Sequence, residues 1–319
     1  QVNHSNLCSE ITLATNANRT AVCCLSSVNL EEYDEWKDNP QFINDLVRML
    51  DNVITHFCEA APAQLYRAVA SAKAERSIGL GAMGFHAYLQ RHNIPFESAM
   101  AKSRNNKMFS FIKGEAENAT RELAVERGPC PDGASAGVRN AHLLAVAPNA
   151  SSSIICGNTS PSIEPYRANA FTQKTKSGSS LLKNEYLEHA LQEIGQDTDD
   201  VWKSIITNGG SVQHLEFLDD YTKDVFKTAV EIDQRWVIEM AADRQEKICQ
   251  SQSLNIFFPS NVSKQELHAI HMMAWKKKVK TLYYLRSEAL KRAETVSDEV
   301  LRQYIFDSID DEGCLACEG

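Results

Sequence analysis

Two cysteine arrangements in this chain are suited to electron chemistry. Near the start, Asn6-Leu-Cys8-Ser-Glu10 sets a thiol between an amide and a carboxylate. In an extended segment side chains at i, i+2 and i+4 share a face, so Asn6, Cys8 and Glu10 are expected to point the same way. A neighbouring carboxylate disfavours the thiolate, which argues against ordinary nucleophilic cysteine catalysis and suits a neutral sulfur able to serve as a radical. The plain alternative is a buried structural cysteine with two polar neighbours. At the other end Cys314 and Cys317 form a Cys-x-x-Cys pair behind the acidic Asp310-Asp-Glu-Gly313. A structural zinc site needs four ligands, and the sequence has no second Cys-x-x-Cys, so a redox pair is the better reading.

Further groups lie between these ends. Cys23 and Cys24 are adjacent in a strand-like run and so face opposite sides of a sheet; one can line a site and the other belongs to the core. Asn149, Ala150, Ser151, Ser152 and Ser153 follow a strand candidate and offer hydroxyls and backbone N–H groups of the kind that capture phosphate. Gly79-Leu-Gly81-Ala-Met-Gly84 matches the dinucleotide fingerprint letter for letter. Its context does not: the preceding segment is short and charged, a long helix follows, and the nearest acid, Glu97, sits at that helix's start. A tight strand-to-helix turn is the better reading of the glycines. Tyr283 and Tyr284 close the last strand candidate, where a regular backbone would turn them to opposite faces; stacking between them requires a local distortion.

The elements that must position these groups alternate. Apolar runs of strand length occur at 21–30, 77–80, 143–147, 253–258 and 279–285. Helical periodicity occupies 41–60, 85–91, 97–127, 181–194, 201–206 and 236–248, and Ser263-Lys-Gln-Glu266 is a capping box opening a helix to Trp275. Strands separated by helices predict an α/β fold with a mostly parallel sheet. Beyond about Ala293 only a short apolar stripe remains, so this end is expected to be weakly held and mobile.

Composition narrows the function classes. Of 319 residues, 43% are hydrophobic and 24% charged, with no apolar run of spanning length, so membrane insertion is not expected. A net charge of -9 argues against a nucleic-acid-binding surface, and the short basic run ending at Lys280 reads as a solvated helix end. Nine cysteines, an odd count, and no signal peptide point to a reducing cytoplasm, which makes Asn-x-Ser/Thr triplets such as Asn18-Arg-Thr20 chance matches. The chain opens on Gln, as expected of a processed chain or a part of something longer.

Four separated motifs occur in one order: Asn6-Leu-Cys-Ser-Glu10; Pro148-Asn-Ala-Ser-Ser-Ser153 leading to Ile163-Glu-Pro165; Lys280-Thr-Leu-Tyr-Tyr-Leu285; and the terminal Cys-x-x-Cys. In this the chain resembles, over essentially its whole length, the large (α, catalytic) subunit of a class I aerobic ribonucleotide reductase. The resemblance implies a ten-stranded α/β barrel of two five-stranded halves, of which this chain supplies the second. Residues 1–19 would form the finger loop with the radical cysteine, 20–293 the second barrel half with its substrate-binding loops, and 294–319 a flexible redox-active tail. Cys8 would be the thiyl radical that takes the ribose 3′-hydrogen, Glu10 the base on the 3′-hydroxyl, and Asn6 the group orienting the ribose hydroxyls. Cys23 would be one of two cysteines that reduce the 2′ position and become a disulfide. Cys314 and Cys317 would reduce that disulfide and be recharged by thioredoxin or glutaredoxin. Tyr283 and Tyr284 would relay the radical from a metal-containing small (beta) subunit, and residues 149–153 would bind the diphosphate of a ribonucleoside diphosphate substrate, in a loop that varies within the family. No metal or cofactor would be held directly.

The family's amino-terminal domain, specificity site, first barrel half and other active-site cysteine are not in this sequence. Half a barrel leaves a sheet edge and apolar faces uncovered, so an amino-terminal partner fragment, as from a split gene, or an incomplete sequence is expected, with no activity in isolation. Two other readings fit parts of the pattern: a fragment of a cobalamin-dependent class II reductase, which adjacent tyrosines disfavour, and a non-catalytic assembly subunit.

Overall fold

Parallel pairing of short extended segments forms the frame. The computed structural model describes residues 1–175 and 178–287. Strand β1 (Leu25–Asn29) pairs in parallel with β2 (Gly79–Met83), and β5 (Ile256–Phe258) pairs in parallel with β6 (Leu285–Ser287). Residues 143–147 and 250–253 connect the two pairs through parallel bridges at Leu80–Leu144 and Val146–Gln252, with backbone bonds from Leu80 N to Leu143 O (2.8 Å) and Ser253 N to Val146 O (2.8 Å). With 250–258 as one stretch ending in β5 and 281–287 as one ending in β6, five parallel segments (β1, β2, 143–147, 250–258 and 281–287) run side by side, in the number and direction expected from the sequence.

Glycine permits this close assembly. A Cβ at Gly81 would meet Ala145 O at 2.6 Å and Val146 Cα at 3.1 Å, so the third segment lies directly against β2. Gly84, at φ +80°, ends the strand and turns the chain into the helix that follows, the conformation glycine adopts without steric cost. The fingerprint-like glycines therefore serve sheet packing and a turn, as the sequence context predicts.

Helices cover the outer face. The stripe read from periodicity in 41–60 is α2 (Phe42–Ala60), following the single turn α1 (Tyr33–Trp36); it buries Ile43, Val47, Leu50 and Ile54. Each such side chain contributes about 1.5–3 kcal/mol on burial. Helix α3 (Tyr66–Glu75), which periodicity does not reveal, buries the small and polar Ala68, Ser71, Ala72 and Glu75. After α4 (Phe85–Arg91) comes α5 (Ala99–Arg127), capped by Ser98 and packed on α2.

Three expectations are corrected. Residues 150–155 are a short helix, α6 (Ala150–Ile155), where a serine-rich loop is expected. Strands β3 (Ala170–Thr175) and β4 (Gly178–Lys183) form an antiparallel hairpin, so the helix expected over 181–194 is confined to α7 (Glu185–Glu193), with Asn184 as its N-cap. The cap terminates the strand before the apolar period can extend backwards. The last strand starts at Leu285 rather than 279. Helix α8 (Asp199–Thr207) joins α7 in a second apolar cluster around Trp202; α9 (Asp220–Val225), α10 (Gln234–Gln245) and α11 (Lys264–Lys276) complete the order. Cys314 and Cys317 lie outside the described residues. Among the described residues no helix is long and apolar enough to cross a membrane.

One ionic knot ties α2 to the ends of α3 and α5 and to residues 139–140. Asp51, fully buried on α2, accepts from Arg76 Nε (2.7 Å), Arg127 Nη1 (3.0 Å) and Asn140 Nδ2 (3.2 Å), with Arg139 Nε at 3.4 Å. Burial alone would raise the carboxyl's pKa; the hydrogen bond and charge of Arg76, with Arg139 and Arg127, outweigh it and hold the group below its ordinary value. Asp51→Asn is expected to lose about 3–5 kcal/mol of stability at neutral pH, because it leaves the buried Arg76 guanidinium without its counter-charge. A depressed carboxyl pKa stabilises fully above the unfolded value of about 3.9, and that contribution is lost as pH falls through the folded value. Urea unfolding of wild type and variant across this range should therefore show their gap narrowing in acid; a constant gap would mean that the charge is not what holds the knot.

Candidate active site

Residues 6–11 fold back on themselves. Asn6 N donates to Ile11 O (3.4 Å), Ser9 N to Asn6 O (3.2 Å), and Ser9 takes φ +68°. The expected extended segment is therefore a tight turn, and the three side chains are gathered by hydrogen bonds rather than by strand alternation. Asn6 Nδ2 donates to Glu10 Oε1 (2.9 Å), while Asn6 Oδ1 accepts from Ile11 N (3.0 Å). Cys8 and Glu10 are buried, at 3% and 2% exposure.

The turn is anchored in the fourth segment by groups that sequence reasoning did not single out. Ser251 N donates to Glu10 O (2.9 Å), and Ser253 Oγ reaches both Glu10 Oε2 (2.9 Å) and the Cys8 carbonyl. A hydroxyl carries one proton, so Ser253 serves one of these acceptors at a time. A signal existed: Gln250, Ser251, Gln252 and Ser253 are all at most 1% exposed, a polar run inside a sheet, and buried polar groups need partners.

The tyrosines meet this turn from the fifth segment. Ser9 Oγ donates to Leu282 O (3.3 Å). The Tyr283 hydroxyl is buried without a partner at full hydrogen-bond geometry. Burial first, then the nearby Tyr284 and Cys8, push its pKa up. The Tyr283 and Tyr284 ring centroids are 4.1 Å apart with planes inclined at 41°, so consecutive residues do bring their rings together. Arg286 lies over the Tyr284 ring, 4.8 Å from its centroid.

The cysteine pair divides as alternation predicts. Cys24 is buried, its sulfur 3.7 Å from Leu50 O; burial, then the charge of Asp51, raise its pKa to about 11 against the opposing effect of Arg76. Cys23 is exposed and lines a cavity of about 440 Å³ together with Asn6, Ile11, Thr15 and Arg19. Cys23 and the Cys8 turn thus share one opening through Asn6.

Residues 149–153 sit beyond the third segment, beside β1. Asn149 is 7% exposed; its Nδ2 donates to Ser27 Oγ (3.2 Å) and its Oδ1 is buried without a partner. Ala150, Ser151 and Ser152 are half-buried in the first turn of α6, whose leading N–H groups have no partner within the helix. The Ser153 hydroxyl is turned inward onto Ala150 O (3.0 Å), which removes it from the set expected to meet a ligand. Glu164 is buried further along, where its Oε1 accepts from Asn255 N (3.2 Å). Burial raises its pKa, opposed by Arg167, Asn255 and Arg286. Among the described residues no group of three His, Cys, Asp or Glu could hold a metal ion.

The family model of the ribonucleotide reductase barrel domain matches residues 1–134 and 131–285. The ribonucleoside-diphosphate reductase large subunit of Invertebrate iridescent virus 6 is 53% identical over 91% of this chain and 31% of its own length. The putative large subunit of Frog virus 3 (isolate Goorha) is 49% identical over 100% of this chain and 56% of its own length. Among solved structures, the Actinobacillus ureae class Id ribonucleotide reductase alpha subunit superposes with a TM-score of 0.85 at 41% identity, over 90% of this chain and 54% of that one. The chain therefore spans between about a third and just over half of these relatives. With a buried cysteine set against a tyrosine pair, and a barrel-domain match over nearly all described residues, this chain belongs to the ribonucleotide reductase family, as part of a class I large (alpha) subunit.

Proposed function

We propose that this segment carries the radical and reducing chemistry of a ribonucleoside-diphosphate reductase that supplies deoxyribonucleotides for DNA synthesis. The observation that carries this reading is the nearness of Cys8 to the buried Tyr283 hydroxyl, whose ring lies against Tyr284, while Glu10 is held from both sides by Asn6 and Ser253. A small subunit outside this chain supplies the oxidising equivalent. Tyr284 and then Tyr283 pass it inward by losing a phenolic hydrogen and regaining one. Cys8 then takes the ribose 3′-hydrogen, and Glu10 accepts the 3′-hydroxyl proton. The 2′-hydroxyl leaves as water while Cys23 and a second thiol give up two electrons and two protons and become a disulfide. Hydrogen return from Cys8 to the 3′ carbon closes the step.

Asn149 to Ser152 receive the substrate diphosphate at the first turn of α6, and the second thiol belongs to the rest of the large subunit, on the same polypeptide or on a partner fragment. That remainder closes the barrel against the five segments described here and makes ten strands. Without it the segment is inactive. Cys314 and Cys317 reduce the Cys23 disulfide by thiol exchange and are recharged by thioredoxin or glutaredoxin. The cytoplasm is the reducing compartment this cycle requires.

Two experiments on the complete large subunit with its small subunit test the reading. Cys8→Ser and Cys23→Ser should each abolish deoxyribonucleotide formation while preserving assembly; Cys24→Ser should keep turnover, since that thiol faces the core. Loss of activity in Cys24→Ser with retention in Cys23→Ser would reverse the assignment. Separately, Tyr283→Phe and Tyr284→Phe keep nearly all the packed area but have no phenolic hydrogen to lose. Each should fold normally and stop multiple turnover, and an active Phe variant would return that position to a packing role.

A further inference from the structure

Consecutive residues in a regular strand point to opposite faces, so the meeting of the Tyr283 and Tyr284 rings needs a cause in the backbone. Hydrogen-bond register supplies it. Tyr283 N donates to Leu254 O (2.9 Å). In an unbroken parallel ladder the next bond across would run from Ile256 N to Tyr283 O. Instead Ile256 N donates to Tyr284 O (3.0 Å), and Ile256 pairs with Leu285. One extra residue has entered the fifth segment, which makes this a β-bulge.

A bulge leaves its extra N–H outside the ladder, and here that group is Tyr284 N. It donates to Asn255 Oδ1 (3.0 Å). Asn255 is 3% exposed, so water offers little alternative acceptor. Its own N–H is fixed on Glu164 Oε1 (3.2 Å), a buried carboxylate of the stretch that follows α6. The side-chain amide thus stands in for a missing backbone carbonyl at the one point where the register slips.

We propose that Asn255 is a positioning residue for radical transfer: by accepting from Tyr284 N it stabilises the bulge that brings the two tyrosine rings together. The alternative register, in which Ile256 N bonds Tyr283 O, needs no side-chain acceptor and turns Tyr284 to the opposite face. Asn255 shifts the balance to the bulged form, and its tie to Glu164 links the tyrosine pair to the stretch behind the proposed diphosphate site. The inference rests on the relay role given to the tyrosines under Proposed function.

The test uses the complete large subunit with its small subunit and compares Asn255→Leu, similar in volume but without an acceptor, with Asn255→Asp, which keeps an acceptor oxygen. Asn255→Leu should lower kcat by about tenfold or more with KM within about twofold, because substrate contacts are untouched while the relay geometry is lost. Amide hydrogen exchange at Tyr284 should quicken by about tenfold in the same variant, and Asn255→Asp, which keeps the acceptor on Tyr284 N, should leave that exchange near wild type. If Asn255→Leu does not fold, Asn255→Ser, whose shorter hydroxyl falls away from Tyr284 N, takes its place with the same two readouts. Wild-type kcat without the acceptor, or lost kcat with unchanged exchange at Tyr284, overturns the proposal. Cys8→Ser in the same assay keeps the two ideas apart: turnover by that variant would remove the radical reading itself, whereas the exchange rate at Tyr284 judges the bulge on its own.

Discussion

A carboxylate taken almost wholly out of water must have its lone pairs satisfied by the protein, and the arrangement around Glu10 follows from that requirement. Its two oxygens are met by Asn6 from within the turn and by Ser253 from the sheet, and its carbonyl by Ser251. Meeting these demands fixes the 6–11 turn on the fourth segment, and Ser9 then reaches Leu282 on the fifth. Cys8 is brought to Tyr283 as a consequence. Unmet buried groups cost about 1–3 kcal/mol each, enough to select this turn over an extended alternative.

Two of the buried acids, Asp51 and Glu10, are treated differently. Asp51 is surrounded by guanidinium groups that hold its charge in place and join four stretches of chain. Glu10 is met by an amide and a hydroxyl, and among the described residues no salt bridge reaches it. Strong ionic pairing suits a structural knot. Neutral donors set direction without a competing fixed charge, which suits the role proposed for Glu10.

Much of this was legible in the sequence because the signals were local. The apolar stripe of α2 (Phe42–Ala60), the span of α4 (Phe85–Arg91) and the opposite facing of Cys23 and Cys24 each follow from a short period or an alternation. The need for a distortion at Tyr283 and Tyr284 followed from the same rule. What escaped depended on distant partners or on small residues. Helix α3 (Tyr66–Glu75) packs through Ala and Ser, which give periodicity little contrast, and the hairpin before α7 (Glu185–Glu193) was hidden by Leu181 and Leu182 matching the helical stripe. Ser253 and Asn255 are polar positions in a strand-like run, and their partners lie more than two hundred residues away in one case and about thirty or ninety in the others. Pairings at such separations leave no local pattern.

The slipped register in the fifth segment also affects parity. Every residue after Tyr284 stands one step out of phase with the frame that precedes Tyr283, so the inward and outward sides of β6 (Leu285–Ser287) are exchanged relative to an uninterrupted strand. Arg286 reaches the Tyr284 ring from that exchanged position. Loss of the bulge with every residue retained would therefore invert the facing of the whole downstream strand, whereas loss of one residue together with the bulge would leave Leu285 opposite Ile256 and its facing unchanged. Chain length at this point carries structural information independent of which side chains are present.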